Sequence, residues 1–286
     1  VTGAGSKADG IGNGRAAAIL LAEAGANVVC VDLSIIDATR TVQMIIDDGK
    51  GQAIAVNADV TKEEHCKNIV EKAIAEFGHL DILVNNVGVN GPKGTATSVD
   101  MDEWDVGMRI NVSSMVMMAK YAVPEMVKNE SQCKGSIINL ASVAGMRGGT
   151  PNLLYPTSKG AVINMTRAMA DHHGAQGIRV NCVCPGMLYT PMMYNEGMSE
   201  EQREVRKNRS LLRTEGYGWD CGAAVRFLAS DEARCVLWDS HAIDLRTDLE
   251  KMDHWSHSTC RCWSYLLHQH RSPGYSVRVE QQTDLT

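Results

Sequence analysis

Short apolar runs rich in β-branched residues alternate along this chain with longer segments of helical period, and that alternation constrains the fold more than any other feature. Strands are expected at Asn27–Asp32, Gln52–Asn57, Asp81–Asn85, Gly135–Leu140 and Ile178–Val183. Helices are expected at Asn13–Glu23, Asp37–Asp48, Lys62–Phe77, Asp100–Val127 and Asn152–His173. Crossovers between parallel strands are right-handed almost without exception, so the expected class is α/β, a doubly wound parallel sheet with helices on both faces. A single domain accounts for residues 1–234. Beyond Arg234 the character changes: residues 235–286 hold three of the five Trp and five of the nine His, with Gly only at Gly274. This stretch reads as an atypical C-terminal tail, irregular or disordered.

Bulk properties exclude several function classes. With 44% hydrophobic residues in 286, the chain can bury a sizeable core. A net charge of -6 gives no basic face to displace counterions, which argues against a nucleic-acid partner. No run of about 18 apolar residues occurs, and Val1-Thr2-Gly3-Ala4-Gly5 has no signal-peptide character, so the expectation is no membrane span and a cytoplasmic location. Nine scattered cysteines, with Cys30, Cys182 and Cys184 inside apolar runs, fit buried reduced thiols better than a disulfide framework.

The N-terminal run from Val1 to Arg15 is glycine-rich and precedes a helical segment. A turn of this kind lets backbone N–H groups approach a pyrophosphate, with the helix N-terminus adding positive potential. Eighteen residues past Gly14, Val29-Cys30-Val31 ends in Asp32, where an acid holds the ribose hydroxyls of NAD and repels a 2′-phosphate. Capping of the following turn is the other role open to Asp32. Farther along, Tyr155 and Lys159 are four residues apart, so on a helix they share one face. A neighbouring cation favours the phenolate, which makes Tyr155 a candidate acid/base. Ser142 follows the apolar run Ile137-Ile138-Asn139-Leu140, which places its hydroxyl at the carboxyl end of a strand, where open α/β sheets bind ligands.

These residues together resemble the short-chain dehydrogenase/reductase family, with its Rossmann-type fold, and among its members the 3-oxoacyl reductase-like ones; the likeness runs from Val1 to about Arg234. Thr2-Gly3 with Gly12 and Gly14 resembles the family's T-G-x-x-x-G-x-G turn, Asn85-Asn86-Val87-Gly88 its N-N-A-G strand end, and Asn111 its helix asparagine. Ser142, Tyr155 and Lys159 match its catalytic Ser, Tyr and Lys, Pro185-Gly186 with Thr190 its P-G-x-x-x-T, and Asp59-Val60 the pair beside the adenine. The resemblance implies a hydride transfer between NAD(P) and a secondary alcohol or ketone. It implies that Tyr155 is the acid/base, that Lys159 lowers its pKa and binds the nicotinamide ribose, that Ser142 orients the substrate oxygen, and that Asn111 holds a proton-relaying water. The implied cofactor site comprises Gly3, Gly5, Ile11, Gly12, Gly14, Asp32, Asp59, Val60, Asn86, Gly88, Tyr155, Lys159, Gly186, Leu188 and Thr190. NAD is the expected cofactor, with NADP the alternative, and a homodimer or homotetramer the expected assembly.

Several departures from the family pattern stand out. About five extra residues lie between Gly5 and Gly12, and Pro156 disfavours helical geometry at Tyr155 unless the helix is in its first turn there. The chain begins where the middle of a first strand is expected, so part of a central strand is expected to be missing. No last strand is expected after Cys235, where the change in composition suggests an altered reading frame or a retained intron. Met187, Met192, Met193, Tyr194 and Met198 follow the Pro-Gly turn and suit an apolar substrate, although core packing explains methionines equally well. His254, His257, Cys260 and Cys262 match no standard zinc spacing, so no metal is expected. The charges from Glu200 to Arg209 read as a solvated helix face. A non-catalytic dinucleotide-binding or scaffold protein is the competing function, and the complete Ser-Tyr-Lys set argues against it.

Overall fold

In the computed structural model, residues 1–243 are described except for 7–9, 50, 149, 196, 211, 238 and 239. Helix α1 (Asn13–Glu23) leads into β1 (Val28–Asp32), α2 (Ile35–Asp48), β2 (Ala53–Asn57), α3 (Glu63–Phe77) and β3 (Ile82–Asn85). There follow α4 (Met101–Met108), α5 (Ser114–Met126), β4 (Gly135–Leu140), α6 (Leu154–Gly174) and β5 (Ile178–Pro185). The short α7 (Pro191–Tyr194), α8 (Glu200–Lys207), α9 (Gly218–Ala229) and β6 (Ser240–Ile243) complete the order. These residues belong to one compact unit, Val1–Arg246.

Every strand pair is parallel: β1 pairs with β2, and β3, β4, β5 and β6 pair in that order. Thr2 joins the two groups by bridging Val31 on β1 and Asn85 on β3. The period of two along each strand explains why both faces are covered. On one face Val28, Cys30, Val84, Ile138 and Val183 pack with residues of α1, α2 and α9. On the other, Val31, Leu83, Ile137, Ile178 and Val180 pack with α3, α5 and α6. Complete burial of each such side chain contributes roughly 1.5–3 kcal/mol, so the stacked faces hold the strand ends, and the loops on them, in fixed register.

Three expectations are corrected. The single helix expected over Asp100–Val127 is interrupted by a π turn at Arg109–Ser113, because buried Asn111 turns its amide out of the helix to bond the backbone of Val89. A last strand does exist: β6, four residues long, pairs Ser240–Ile243 with Cys182–Pro185. The charges of α8 are not wholly solvated, since Arg203 and Arg206 reach the buried carboxylate of Glu215 at 2.6 and 3.8 Å. The tail from residue 244, its suggested origin, and His254, His257, Cys260 and Cys262 lie outside the described residues.

Candidate active site

Three of the loops at the carboxyl ends of the strands converge on the start of α6. That helix begins at Leu154, so Pro156 stands in its first turn, where a missing N–H breaks no helical bond. Tyr155 and Lys159 lie one turn apart, the ammonium 5.9 Å from the ring centroid. The 3-10 turn Val143–Gly145 lies directly on α6, where a Cβ at Gly145 would come 2.4 Å from the carbonyl carbon of Lys159. This close approach sets Ser142 beside Tyr155. The Ser142 hydroxyl accepts from Ala144 N at 3.2 Å and faces the Pro185 carbonyl at 3.5 Å. A buried amide ladder, Asn85 to Asn139 to Thr166, ties β3 and β4 to α6 and so fixes the whole group against the sheet.

The electrostatics differ from the sequence expectation in one respect. Burial raises the Tyr155 phenol above its ordinary range, and the group that pulls it back is the hydrogen-bonded Ser142 rather than Lys159. Lys159 is itself perturbed: burial lowers its pKa to about 8, opposed by the thiols of Cys182, Cys184 and Cys221. Its ammonium donates to the Leu140 carbonyl at 2.7 Å and lies where a Cβ on Gly88 would be 3.0 Å away. Asn111 is fully committed, its Oδ1 accepting from Val89 N and its Nδ2 donating to Val89 O and Ser158 Oγ.

At the glycine-rich turn, the residues present fit a dinucleotide. A Cβ on Gly14 would fall 2.0 Å from the Gly3 carbonyl oxygen and one on Gly5 would fall 2.8 Å from the Asp32 carboxyl, so these glycines permit close packing. Gly12 differs: among the described residues its Cβ would meet only Ser6, at 3.8 Å. No side chain caps that helix, and among the described residues no acceptor takes the N–H groups of Ile11, Gly12, Asn13 or Gly14. Open donors at a helix N-terminus suit a pyrophosphate. Asp32 takes the turn-capping role weighed for it: Oδ1 accepts from Ser34 N and Oδ2 from Gly5 N, which sets the carboxylate at the edge of the turn with lone pairs to spare.

The remaining candidates surround the same strand ends. Asn86 bonds the carbonyls of Thr2 and Gly3. Asp59 is held by the Thr61 hydroxyl, which lowers its carboxyl pKa, and Val60 is buried. Leu188 bridges Gly216, its N–H bonds Gly186 O, and Thr190 starts α7. Sequence reasoning passed over two buried residues behind the turn, Arg15 and Thr41, whose side chains meet at 3.0 Å. The available signal was an arginine set directly before Ala16-Ala17-Ala18 on an otherwise apolar helix.

Comparison with known proteins supplies the context. A family model described as enoyl-(acyl carrier protein) reductase matches residues 5–245. The chain is 34% identical to meso-2,3-butanediol dehydrogenase of Serratia marcescens, over 82% of this chain and 88% of the relative. It is 32% identical to a 3-oxoacyl-(acyl-carrier-protein) reductase of Thermotoga maritima, over 85% and 94%. Among solved structures, one described as a short-chain dehydrogenase/reductase from Burkholderia xenovorans superposes with a TM-score of 0.81 at 36% identity, covering 87% of this chain and 96% of the other. Levodione reductase superposes with a TM-score of 0.74 at 28% identity, covering 82% and 93%.

Proposed function

Because the chain belongs to the short-chain dehydrogenase/reductase family, we propose that Ser142, Tyr155 and Lys159 perform its nicotinamide-dependent oxidoreduction on a secondary alcohol or ketone. The observation that carries this reading is the seating of Ser142, Tyr155 and buried Lys159 together at the carboxyl ends of β4 and α6's first turns, beside Gly88. A nicotinamide held there would supply or accept the hydride. Tyr155 gives its hydroxyl proton to the carbonyl oxygen in reduction and takes it back in oxidation. Ser142 holds the same oxygen, since its hydroxyl already bonds the phenol. Lys159 places a positive charge under the site and replenishes the proton, with the Asn111 carbonyl holding the water that connects it to solvent.

The finer features of the reading follow from particular residues. Gly3, Gly5, Ile11, Gly12 and Gly14 seat the pyrophosphate, Asp59 and Val60 flank the adenine, and Asn86, Gly186, Leu188 and Thr190 enclose the nicotinamide half. Asp32 selects NAD over NADP, because a 2′-phosphate beside its carboxylate is repelled. The methionines at 187, 192, 193 and 198 around α7 favour an apolar substrate. Names of relatives such as meso-2,3-butanediol dehydrogenase and 7alpha-hydroxysteroid dehydrogenase agree with a secondary alcohol. The test is consumption of NADH across a panel of ketones by the wild type and by Tyr155→Phe. Turnover by the wild type alone, with both proteins binding NADH, supports the reading; equal turnover by both refutes the role of Tyr155.

A further inference from the structure

The lengthened glycine turn poses a structural question: with extra residues between Gly5 and Gly12, the two lips of the turn need something to hold them in register. The two lips are the segment at Ala4, which follows the Thr2 bridge, and the segment at Gly10, which enters α1. Arg15 occupies the third position of α1 and is completely buried. Its Nη1 donates to the Gly10 carbonyl at 2.9 Å and its Nε to the Thr41 hydroxyl at 3.0 Å. Thr41, also completely buried on α2, donates in turn to the Ala4 carbonyl at 2.8 Å. One guanidinium and one hydroxyl thus join both lips from behind.

The direction of these bonds matters for binding. In a trans peptide the carbonyl and the following N–H point opposite ways. Drawing the Gly10 carbonyl inward onto Arg15 turns the Ile11 N–H outward, and that N–H is one of the donors with no acceptor among the described residues. A guanidinium suits the task because its planar fork reaches two acceptors in fixed geometry, which an ammonium cannot do. We propose that Arg15, braced by Thr41, is a positioning residue for the cofactor: it holds Gly10 against the segment at Ala4 in the orientation that presents the Ile11 and Gly12 N–H groups to the pyrophosphate. The inference rests on the dinucleotide reading above and adds to it two residues that touch no ligand.

The test compares three probes, NADH, ADP and adenosine, on the wild type, Arg15→Met, Arg15→Lys and Thr41→Val, with thermal unfolding recorded for each. In Arg15→Met the affinities for NADH and ADP fall at least tenfold while that for adenosine stays within twofold. Arg15→Lys lies between Arg15→Met and the wild type, and Thr41→Val shows the same selective loss at smaller size in a protein that unfolds near the wild-type temperature. Unchanged NADH and ADP affinities in both Arg15→Met and Thr41→Val overturn the strut while leaving the dinucleotide reading intact. A parallel loss of all three probes overturns it as well, since it reveals general damage. A wild type that binds neither NADH nor ADP overturns both readings together.

Discussion

Tyr155 and Lys159 are each perturbed by burial, in opposite directions for the same reason, and the consequences can be measured residue by residue. Ser142 is the partner that lowers the phenol, so Ser142→Ala leaves burial unopposed and raises the Tyr155 pKa further. Oxidation of an alcohol needs the phenolate, so the pH at which oxidation rates rise moves upward in Ser142→Ala, and kcat falls by about 10²-fold or more. A rate profile that keeps its pH position contradicts this. For Lys159 the sign is also fixed. Its folded pKa of about 8 lies below the ordinary 10.5, so between these pH values the unfolded chain holds more protons and stability rises with pH. The burial penalty, about 3 kcal/mol, is fully present below pH 8. Lys159→Met is therefore inactive yet more stable than the wild type at pH 7, by up to that amount less about 1 kcal/mol for the unpaired Leu140 carbonyl. Thermal unfolding at pH 7 and pH 11 checks it: the advantage of Lys159→Met is lost at the higher pH, where only its missing bond to the Leu140 carbonyl separates the two proteins. The Tyr-Lys spacing was legible because four residues span one helical turn. The role of Ser142 in setting the phenol was not, because it depends on the Gly145 contact that brings two segments together across the fold.

At the scale of elements, the turn before α1 and the loop carrying α7 meet. A Cβ on Gly14 would lie 2.0 Å from backbone oxygen, which cannot swing aside, so Gly14→Ala displaces α1 from Gly3 and abolishes NADH binding. At Gly10 the obstruction to a Cβ is the Tyr194 hydroxyl. Here the intruder is the tip of a side chain, so Gly10→Ala folds but pushes α7 outward, raising the KM for ketone more than that for NADH. Steady-state kinetics with each substrate varied distinguishes the two cases. The same loop is tied down by Glu215, buried against Arg203, whose guanidinium covers the Tyr189 ring at 4.0 Å. Glu215→Gln removes the countercharge and loosens this contact, seen as faster hydrogen exchange in α8 with the sheet unaffected. Strand and helix cores were readable from period alone, and Gly135–Leu140 and Asn13–Glu23 match to the residue. The π turn was not, because the apolar spacing on either side of Asn111 continues through it. The inward turn of Arg203 and Arg206 escaped notice for a related reason, since their partner Glu215 lies outside the helix that carries them.

Across the whole molecule, the parallel sheet gathers the glycine turn, Asp32, Asn86, Ser142 and the start of α6 at one set of strand ends, although they are distant in sequence. Alternation of strands and helices was enough to foresee that gathering. The existence of β6 was not foreseeable from composition, because Ser240–Ile243 sits where the residue usage had already changed. The account stands on hydride and proton arriving at one carbon–oxygen bond. Its most direct test is transfer from NADH deuterated at the reactive ring position to secondary ketones, followed by mass analysis of the alcohol. The account predicts one deuterium on the carbinol carbon with the wild type, and none with Tyr155→Phe that still binds the cofactor. Deuterium appearing at the wild-type rate in Tyr155→Phe, or in no product of the wild type across the panel, would contradict it.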